Sequence, residues 1–164
     1  MSQVSRGEYI GNGIVSAILI VGLIIGFVLW QNGVIRPDML INKKVYKTMK
    51  VGNATIDVQT AKTPEEQVKS LNGLKSIREN EGMLFVFAQD GKYSISTSQM
   101  LFPIDILWID KDGNIVDTQS NIAPGLRDPI VPWAYARYVL LVNAGFMDRY
   151  EIVNRMSVTL PVQF

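Results

Sequence analysis

The turn "DKDGN" is the first place to look for chemistry, because it spaces three oxygen-bearing side chains at alternate positions: Asp110, Asp112 and Asn114. Calcium loops of the EF-hand type place ligands in this way at their first, third and fifth positions. Such loops also need glycine at the sixth position and glutamate at the twelfth, whereas this sequence has Gly113 at the fourth and Asn121 at the twelfth. The sequence therefore predicts a hairpin turn here and no metal site.

A polar insert separates two apolar stretches, "GMLFVF" and "FPIDILWI". The alternation in "GKYSIS" predicts a strand, which we extend over residues 94–99. Hydroxyl and amide groups on such a strand could hydrogen-bond across the sheet or orient a bound molecule. Ser96, Ser98 and Gln99 are therefore predicted to form a candidate ligand-binding or partner-binding surface.

Asp105 is the fourth candidate for this surface, although it shares its strand face with Leu107 and Ile109. The opposite face of that strand carries only apolar side chains: Ile104, Ile106 and Trp108. A carboxylate in apolar surroundings must accept hydrogen bonds or change its pKa. Asp105 is therefore either a structural acid that binds a loop amide or a site residue. The structural role is favoured, because a lone carboxylate has no acid–base partner.

The composition excludes most catalytic and metal-binding chemistry. The 164 residues contain no His and no Cys, which excludes a Ser-His-Asp triad, a cysteine nucleophile, thiolate metal sites and disulfides. The 16 Lys and Arg residues nearly balance the 15 Asp and Glu residues, so the chain lacks the basic surface of a nucleic-acid-binding protein. No cofactor is expected, and a non-enzymatic role is favoured.

An uncharged apolar run occupies residues 10–30. As a helix it would cover about 31 Å at 1.5 Å per residue, which matches the hydrocarbon core of a bilayer. Tyr9 and Trp30 flank the run, where aromatic residues favour the membrane interface. Gly22 and Gly26 have the small-xxx-small spacing that lets a second helix approach closely. The run therefore predicts a single membrane helix with a helix-packing face.

The predicted organisation is a flank over residues 1–9, a transmembrane helix over 10–30, a linker over 31–43 and a folded domain over 44–164. The apolar run is longer than that of a cleaved signal peptide, so an uncleaved anchor in the inner membrane is expected. Basic residues after the run favour a cytoplasmic domain, but this rule weakens when a long folded segment follows. The charges alone therefore leave the orientation open.

The folded domain is predicted to be a mainly-β α+β unit. The stretches "KVYKTMKV" and "ATIDVQTA" flank the two-residue turn "GN" and predict a hairpin. Thr63 and Glu66 form a capping-box pattern at the start of a helix that ends near Gly73, with Val68 and Leu71 on its apolar face. Further apolar and alternating stretches predict about seven strands in an antiparallel, hairpin-built sheet or barrel with one or two short helices.

The stretches "TPEEQVKSLNGL", "ENEGMLFVF", "FPIDILWIDKDGNIV" and "ARYVLLVNAG" together resemble the domain of unknown function 192 family. The resemblance extends over residues 54–150. It implies a compact, mainly-β domain of the kind often found behind a signal peptide or lipid anchor in prokaryotes, with no established activity. The resemblance to exported proteins favours an extracytoplasmic position for the domain.

The chain departs from this family where a ligand would be expected. Residues 95–99 read Ile-Ser-Thr-Ser-Gln where family members tend to have Phe-Trp-Met-x-Asn, and Leu74 stands where they tend to have arginine. The resemblance therefore implies a scaffold that is kept and a pocket whose orienting groups are replaced by smaller ones. Ordinary variation on a surface strand is the alternative explanation.

These observations favour a non-enzymatic, single-span accessory or scaffolding subunit of a larger bacterial membrane complex, such as an energy-transducing one. Its small extracytoplasmic domain would contact neighbouring subunits. The alternative is a membrane-anchored module that binds a small ligand in a cleft near Asp105, Gln99 and the proline-rich loop over residues 124–132. The expected partners are other membrane subunits and the lipid bilayer, with no nucleic acid.

Overall fold

The structure, a computed structural model, describes four ranges of the chain: residues 20–25, 27–29, 31–32 and 45–161. The chain divides into two compact units, Met1–Lys44 and Val45–Phe164. The second unit contains the strands and the candidate site.

In the first unit, residues 20–25 and 27–29 are helical. The large apolar side chains of this stretch are exposed: Ile20, Val21, Leu23, Ile24, Ile25, Phe27 and Val28. Among the residues with a described placement, none of the helices combines the length and the hydrophobicity that a membrane crossing requires.

The predicted membrane features fall mainly outside the described residues. Tyr9, Gly26 and Trp30 lie there, as do the whole flank over 1–9 and most of the linker over 31–43. Gly22 lies in the helical stretch, and among the described residues no atom outside its chain neighbours and its own helix backbone is within 4 Å of the position that a Cβ would take. The helix-packing role of the two glycines therefore stays a prediction.

Residues 45–161 of the second unit form seven strands and two short helices, in agreement with the predicted mainly-β α+β class. In chain order they are β1 Lys47–Val51, β2 Ala54–Ala61, α1 Pro64–Lys69, β3 Glu81–Gly91, β4 Ile104–Ile109, β5 Ile115–Ile122, β6 Ala136–Asn143, α2 Phe146–Arg149 and β7 Val158–Thr159. The hairpin of β1 and β2 and the final strand at a sheet edge are confirmed.

All seven strands belong to one curled sheet in the order β5-β4-β6-β3-β2-β1-β7. The two outer strands approach each other, since a bridge joins Asn114 to Ser157 and the Ile115 amide donates to the Met156 carbonyl at 2.8 Å. The predicted antiparallel, hairpin-built sheet is confirmed for the other strand pairs and is wrong for β2 and β3, which pair in parallel. The connection through α1 crosses over the sheet, which a hairpin turn cannot do.

The strands alternate between two apolar layers, one on each face of the curled sheet. Every strand contributes to the inner layer, which includes Met49, Ile56, Leu84, Leu107, Ile115, Leu140 and Val158. The outer layer involves the central strands and the segments that cover them, and includes Leu71, Met83, Phe85, Ile95, Met100, Ile106, Trp108 and Leu141. The predicted alternation of β4 is confirmed, since its even-numbered apolar residues enter the outer layer and Leu107 and Ile109 enter the inner one.

Helix α1 begins as predicted but ends early. The Thr63 side chain accepts from the Glu66 amide, and the Glu66 carboxylate accepts from the amides of Lys62 and Thr63, which lowers the pKa of Glu66. The helix ends at Lys69 instead of near Gly73, and it buries none of its residues. Leu71 becomes buried only after the helix has ended, because the chain turns inward there to cover the outer layer.

The turn between β4 and β5 is the predicted hairpin turn. Its Asp110 carboxylate accepts from the backbone amides of Asp112 at 2.9 Å and Asn114 at 2.8 Å. Partial burial raises the pKa of Asp110, but the hydrogen bonds from Asn114, Asp112 and Gly113 outweigh it, so the pKa is lowered. The carboxylate therefore stabilises the turn itself.

Candidate functional site

Residues 92–100, here called the wall loop, form the polar insert singled out in the sequence. The prediction of a strand over residues 94–99 is wrong, since the only pairing there is an isolated bridge between Ile95 and Ile130. The alternation that suggested a strand is real, because Ile95 and Thr97 point inward and are 4% and 1% exposed. It reflects an extended loop that lies against the outer apolar layer.

Hydrogen bonds from three directions hold the wall loop in place. The Trp108 indole N–H donates to the Tyr93 carbonyl at 2.8 Å, and the Gly73 amide donates to the Gln99 carbonyl at 3.1 Å. The Thr97 hydroxyl donates to the Ala123 carbonyl at 3.0 Å. A loop fixed in this way can present its outward side chains in defined positions.

An open cleft of about 520 Å³ lies between the wall loop, α1 and the end of β3. Its floor is aromatic, since Phe87 and Tyr93 stack with their ring centres 3.4 Å apart and Phe85 meets Phe87 edge-on at 6.5 Å. Gly91 permits this arrangement, because a Cβ there would lie 2.8 Å from the Tyr93 ring. The cleft volume falls within the range of pockets that bind small molecules.

Uncharged polar groups line the remaining walls of the cleft: Gln67, Asn72, Ser94, Ser96, Ser98 and Gln99. The hydroxyls of Ser96 and Ser98 are 3.0 Å apart and share a hydrogen bond. Lys92 adds a positive charge at the rim, with its ammonium nitrogen 5.9 Å from the centre of the Tyr135 ring. Three of the four predicted surface residues, Ser96, Ser98 and Gln99, therefore lie together in this cleft.

The fourth predicted surface residue, Asp105, is not at the surface. It is 0% exposed, and its carboxylate accepts from the Asn121 amide at 2.8 Å and the Met147 amide at 2.9 Å. The interpretation of Asp105 as a ligand-contacting residue is wrong, because both oxygens already bind backbone amides. Asp105 is the structural acid that joins β4 to the end of β5 and to α2.

The proline-rich loop over residues 124–132 lies behind the wall loop. Ile130 exchanges two backbone hydrogen bonds with Ile95, at 2.8 and 2.9 Å. Beyond it, Trp133 is 83% exposed and Tyr135 is 66% exposed. The backbone there is held in place, since the Trp133 amide donates to the buried Asp117 carboxylate at 2.7 Å.

Several cleft residues carried no recognisable signal in the sequence. Phe85 and Phe87 read as ordinary members of an apolar strand, and Lys92 and Tyr93 belong to the alternating stretch "GKYSIS", which predicts another strand. β3 separates from β6 between Val86 and Gly91 and pairs with it again at Gly91, opposite Ala136. Phe87 lies in this irregular part of the strand and lines the cleft. A run of alternating aromatic residues near a glycine was the one available hint.

A second polar cluster surrounds the Glu81 carboxylate, which is 5% exposed. Glu81 accepts hydrogen bonds from the Tyr46 hydroxyl, from Gln59 Nε2 at 3.1 Å and from Arg78 Nε at 3.3 Å. Burial and the hydrogen bond to Glu81 raise the pKa of Tyr46, and the same carboxylate raises the pKa of Arg78. Because its groups bind one another, this cluster fastens the start of the domain to β2 and β3.

The described part of the second unit contains no cluster of acidic side chains suited to a metal ion, and no carboxylate lines the cleft. Within residues 45–161, no three Asp or Glu side chains come together in a way that could hold a metal ion. The cleft contains amides, hydroxyls, aromatic rings and one ammonium group. Such groups can bind and orient a molecule, but they offer no pair for proton transfer at neutral pH.

Comparison with known proteins places this fold among uncharacterized ones. The structure resembles a protein of unknown function from Novosphingobium aromaticivorans DSM 12444, with a TM-score of 0.69, 20% identity and coverage of 77% of this chain and 91% of that one. It also resembles a protein from Sinorhizobium meliloti 1021 described as a proposed transcription regulator, with a TM-score of 0.67, 22% identity and coverage of 70% and 93%. None of the curated proteins matches the chain.

The sequence itself matches a family model. The match covers residues 47–160, from the first residue of β1 to just beyond β7. This range contains both apolar layers, the wall loop and the cleft, and it extends the resemblance seen in the sequence at both ends. The chain belongs to the DUF192 family, described as "uncharacterized ACR".

Proposed function

We propose that the domain is a non-enzymatic module that binds a small molecule in the cleft under the wall loop. The observation that carries this proposal is the combination of an aromatic floor with a fixed polar wall. Apolar rings supply contact area, and the few polar groups fix the orientation of a ligand. The cleft keeps this character although Ser96 is smaller than the tryptophan that the family resemblance implies at its position.

A tryptophan in the cleft tests this proposal. Ser98→Trp should fill the cleft and reduce binding of aromatic fragments by roughly tenfold or more, because a bulky side chain would occupy the space over the floor. The measurement is fragment binding to the full chain in mild detergent, followed by nuclear magnetic resonance shifts of the amides of residues 94–99. Fragments that bind both proteins equally well, with no shifts in the wall loop, would contradict the proposal.

Ser120→Trp is the matched control. Ser120 is also an exposed serine, but it lies on β5 and does not line the cleft. It should leave fragment binding within about twofold of the unmodified chain, since substitutions at exposed positions away from a site change little.

The N-terminal unit is proposed to anchor this module in the inner membrane, with the domain on the extracytoplasmic side. The uncharged run over residues 10–30 supports the anchor, and so do the exposed apolar side chains of its described helical part. The position of the domain rests on the resemblance to exported proteins. An alkaline phosphatase fusion at the carboxyl terminus should be active, and a well-expressed but inactive fusion would place the domain in the cytoplasm.

An accessory-subunit role is the second candidate, and a separate surface favours it. Residues 129–136 contain no charged side chain, and Val131, Trp133 and Tyr135 are 59%, 83% and 66% exposed. Exposed aromatic groups on a fixed backbone are typical of protein interaction sites. Extraction in mild detergent should then yield the chain together with other membrane subunits. Recovery of the chain alone, at its monomer mass, would contradict this role.

A further inference from the structure

The charge of the cleft is positive, and this limits what can bind there. Among the described residues that line it, Lys92 is the single ionised side chain, and no carboxylate is present. A cationic ligand would meet repulsion without a compensating acid. A ligand with several negative charges would find only one ammonium group, whereas phosphate sites normally use several donors or a bidentate arginine.

The Lys92 ammonium is not neutralised within the domain. No carboxylate lies within ion-pair distance of it among residues 45–161, and its described contact is with the face of the Tyr135 ring. The nearby Asp90 carboxylate binds Arg137 at 2.8 Å instead. Lys92 is therefore free to meet an anion that enters the cleft from the rim.

The floor beneath this charge is flat and apolar. The rings of Phe87 and Tyr93 stack face to face, parallel within 4°, so the aromatic area that they leave to the cleft is an outer ring face of the stack and the ring edges. Phe85 meets Phe87 edge-on beside them. Flat apolar groups gain most from such a surface, because they can stack on the outer ring face. The serine hydroxyls and the Gln99 amide border the floor and can donate to an anionic oxygen.

We infer that the cleft selects small organic monoanions in which one carboxylate is attached to a flat apolar body. The carboxylate meets Lys92 and the serine hydroxyls, while the body lies on the aromatic floor. This inference rests on the proposed binding function and adds the charge and shape of the ligand.

Three probes with the same ring and similar size test the selectivity: benzoate, benzyl alcohol and benzylamine. The amides of residues 94–99 are observed in the full chain in mild detergent while each probe is titrated. Benzoate is expected to bind roughly tenfold more tightly than benzyl alcohol, since a charge-assisted hydrogen bond is about twice as strong as a neutral one. Benzylamine is expected to bind more weakly than both.

Substitution of Lys92 isolates the role of its charge. Lys92→Gln should lower benzoate affinity by about tenfold and leave benzyl alcohol affinity unchanged, whereas Lys92→Arg should retain most of the benzoate affinity. Lys50→Gln is the matched control, because Lys50 is an exposed lysine on β1 outside the cleft. It should change neither affinity.

The outcomes separate this inference from the function on which it rests. If benzyl alcohol shifts the wall-loop amides at the same concentrations as benzoate, the anion selectivity is wrong and the binding function stands. An equal loss of both affinities in Lys92→Gln would lead to the same conclusion. If none of the three probes shifts these amides in the folded chain, both the inference and the binding function are wrong.

Discussion

Asp105→Ala is expected to lower the free energy of unfolding by about 2–5 kcal/mol, because it leaves one buried and one partly buried backbone amide without an acceptor. The amides are those of Asn121 and Met147, which donate to the two carboxylate oxygens at 2.8 and 2.9 Å. They belong to the end of β5 and the start of α2, so the loss affects two connections of the sheet. Urea unfolding of the full chain in mild detergent, followed by circular dichroism, measures the change.

Two further variants make this prediction specific. Asp105→Asn should lower the free energy of unfolding by less than Asp105→Ala does, since the side-chain amide oxygen of asparagine can still accept a hydrogen bond. Asp128→Ala, at an exposed position in the loop after β5, should stay within about 0.5 kcal/mol of the unmodified chain. Equal stability of Asp105→Ala and Asp128→Ala would show that Asp105 does not hold the fold together.

Trp108→Phe is expected to lower the free energy of unfolding by about 2–4 kcal/mol and to increase the hydrogen exchange of the wall loop. Trp108 is 0% exposed, and its indole N–H donates to the Tyr93 carbonyl at 2.8 Å. Phenylalanine is smaller, so it leaves a cavity in the outer layer, and it removes the hydrogen bond that holds the beginning of the loop. Urea unfolding measures the stability, and hydrogen exchange measures the opening of residues 93–99.

The pattern of hydrogen exchange distinguishes this effect from a general loss of stability. In Trp108→Phe, protection of the backbone amides from hydrogen exchange should fall more in the wall loop than in β1. The lost N–H group binds the wall loop at the Tyr93 carbonyl, whereas β1 forms hydrogen bonds with β2. Trp133→Phe is the matched control, because Trp133 is 83% exposed and should have little effect on either measurement. A uniform loss of protection across β1 and the wall loop would contradict a local role for Trp108.

Patterns formed by residues close together in the sequence were sufficient to predict much of the fold. The hairpin of β1 and β2, the capping box at Thr63, and the alternation of β4 were all predicted from neighbouring residues. Each depends on side chains within a few positions of one another, so the sequence contains the whole interaction. The sequence also favoured a structural role for Asp105, and the two amide donors confirm it.

The candidate site was predicted only in part. Ser96, Ser98 and Gln99 were chosen as polar groups between apolar strands, and all three line the cleft. The other residues that line the cleft come from segments distant in sequence, since Gln67 lies on α1 and Phe85 lies on β3. Nothing in the local sequence shows that these segments meet.

By itself, the sequence determined the mainly-β class, the turn and capping residues, and the absence of histidine and cysteine chemistry. The tertiary structure alone decided that β2 and β3 run parallel, that residues 92–100 form a loop, and that a positively charged cleft lies beneath it. The physical reason is the range of the interactions. Turns and caps are stabilised by neighbours in the chain, whereas strand order and pockets depend on contacts between residues far apart in sequence.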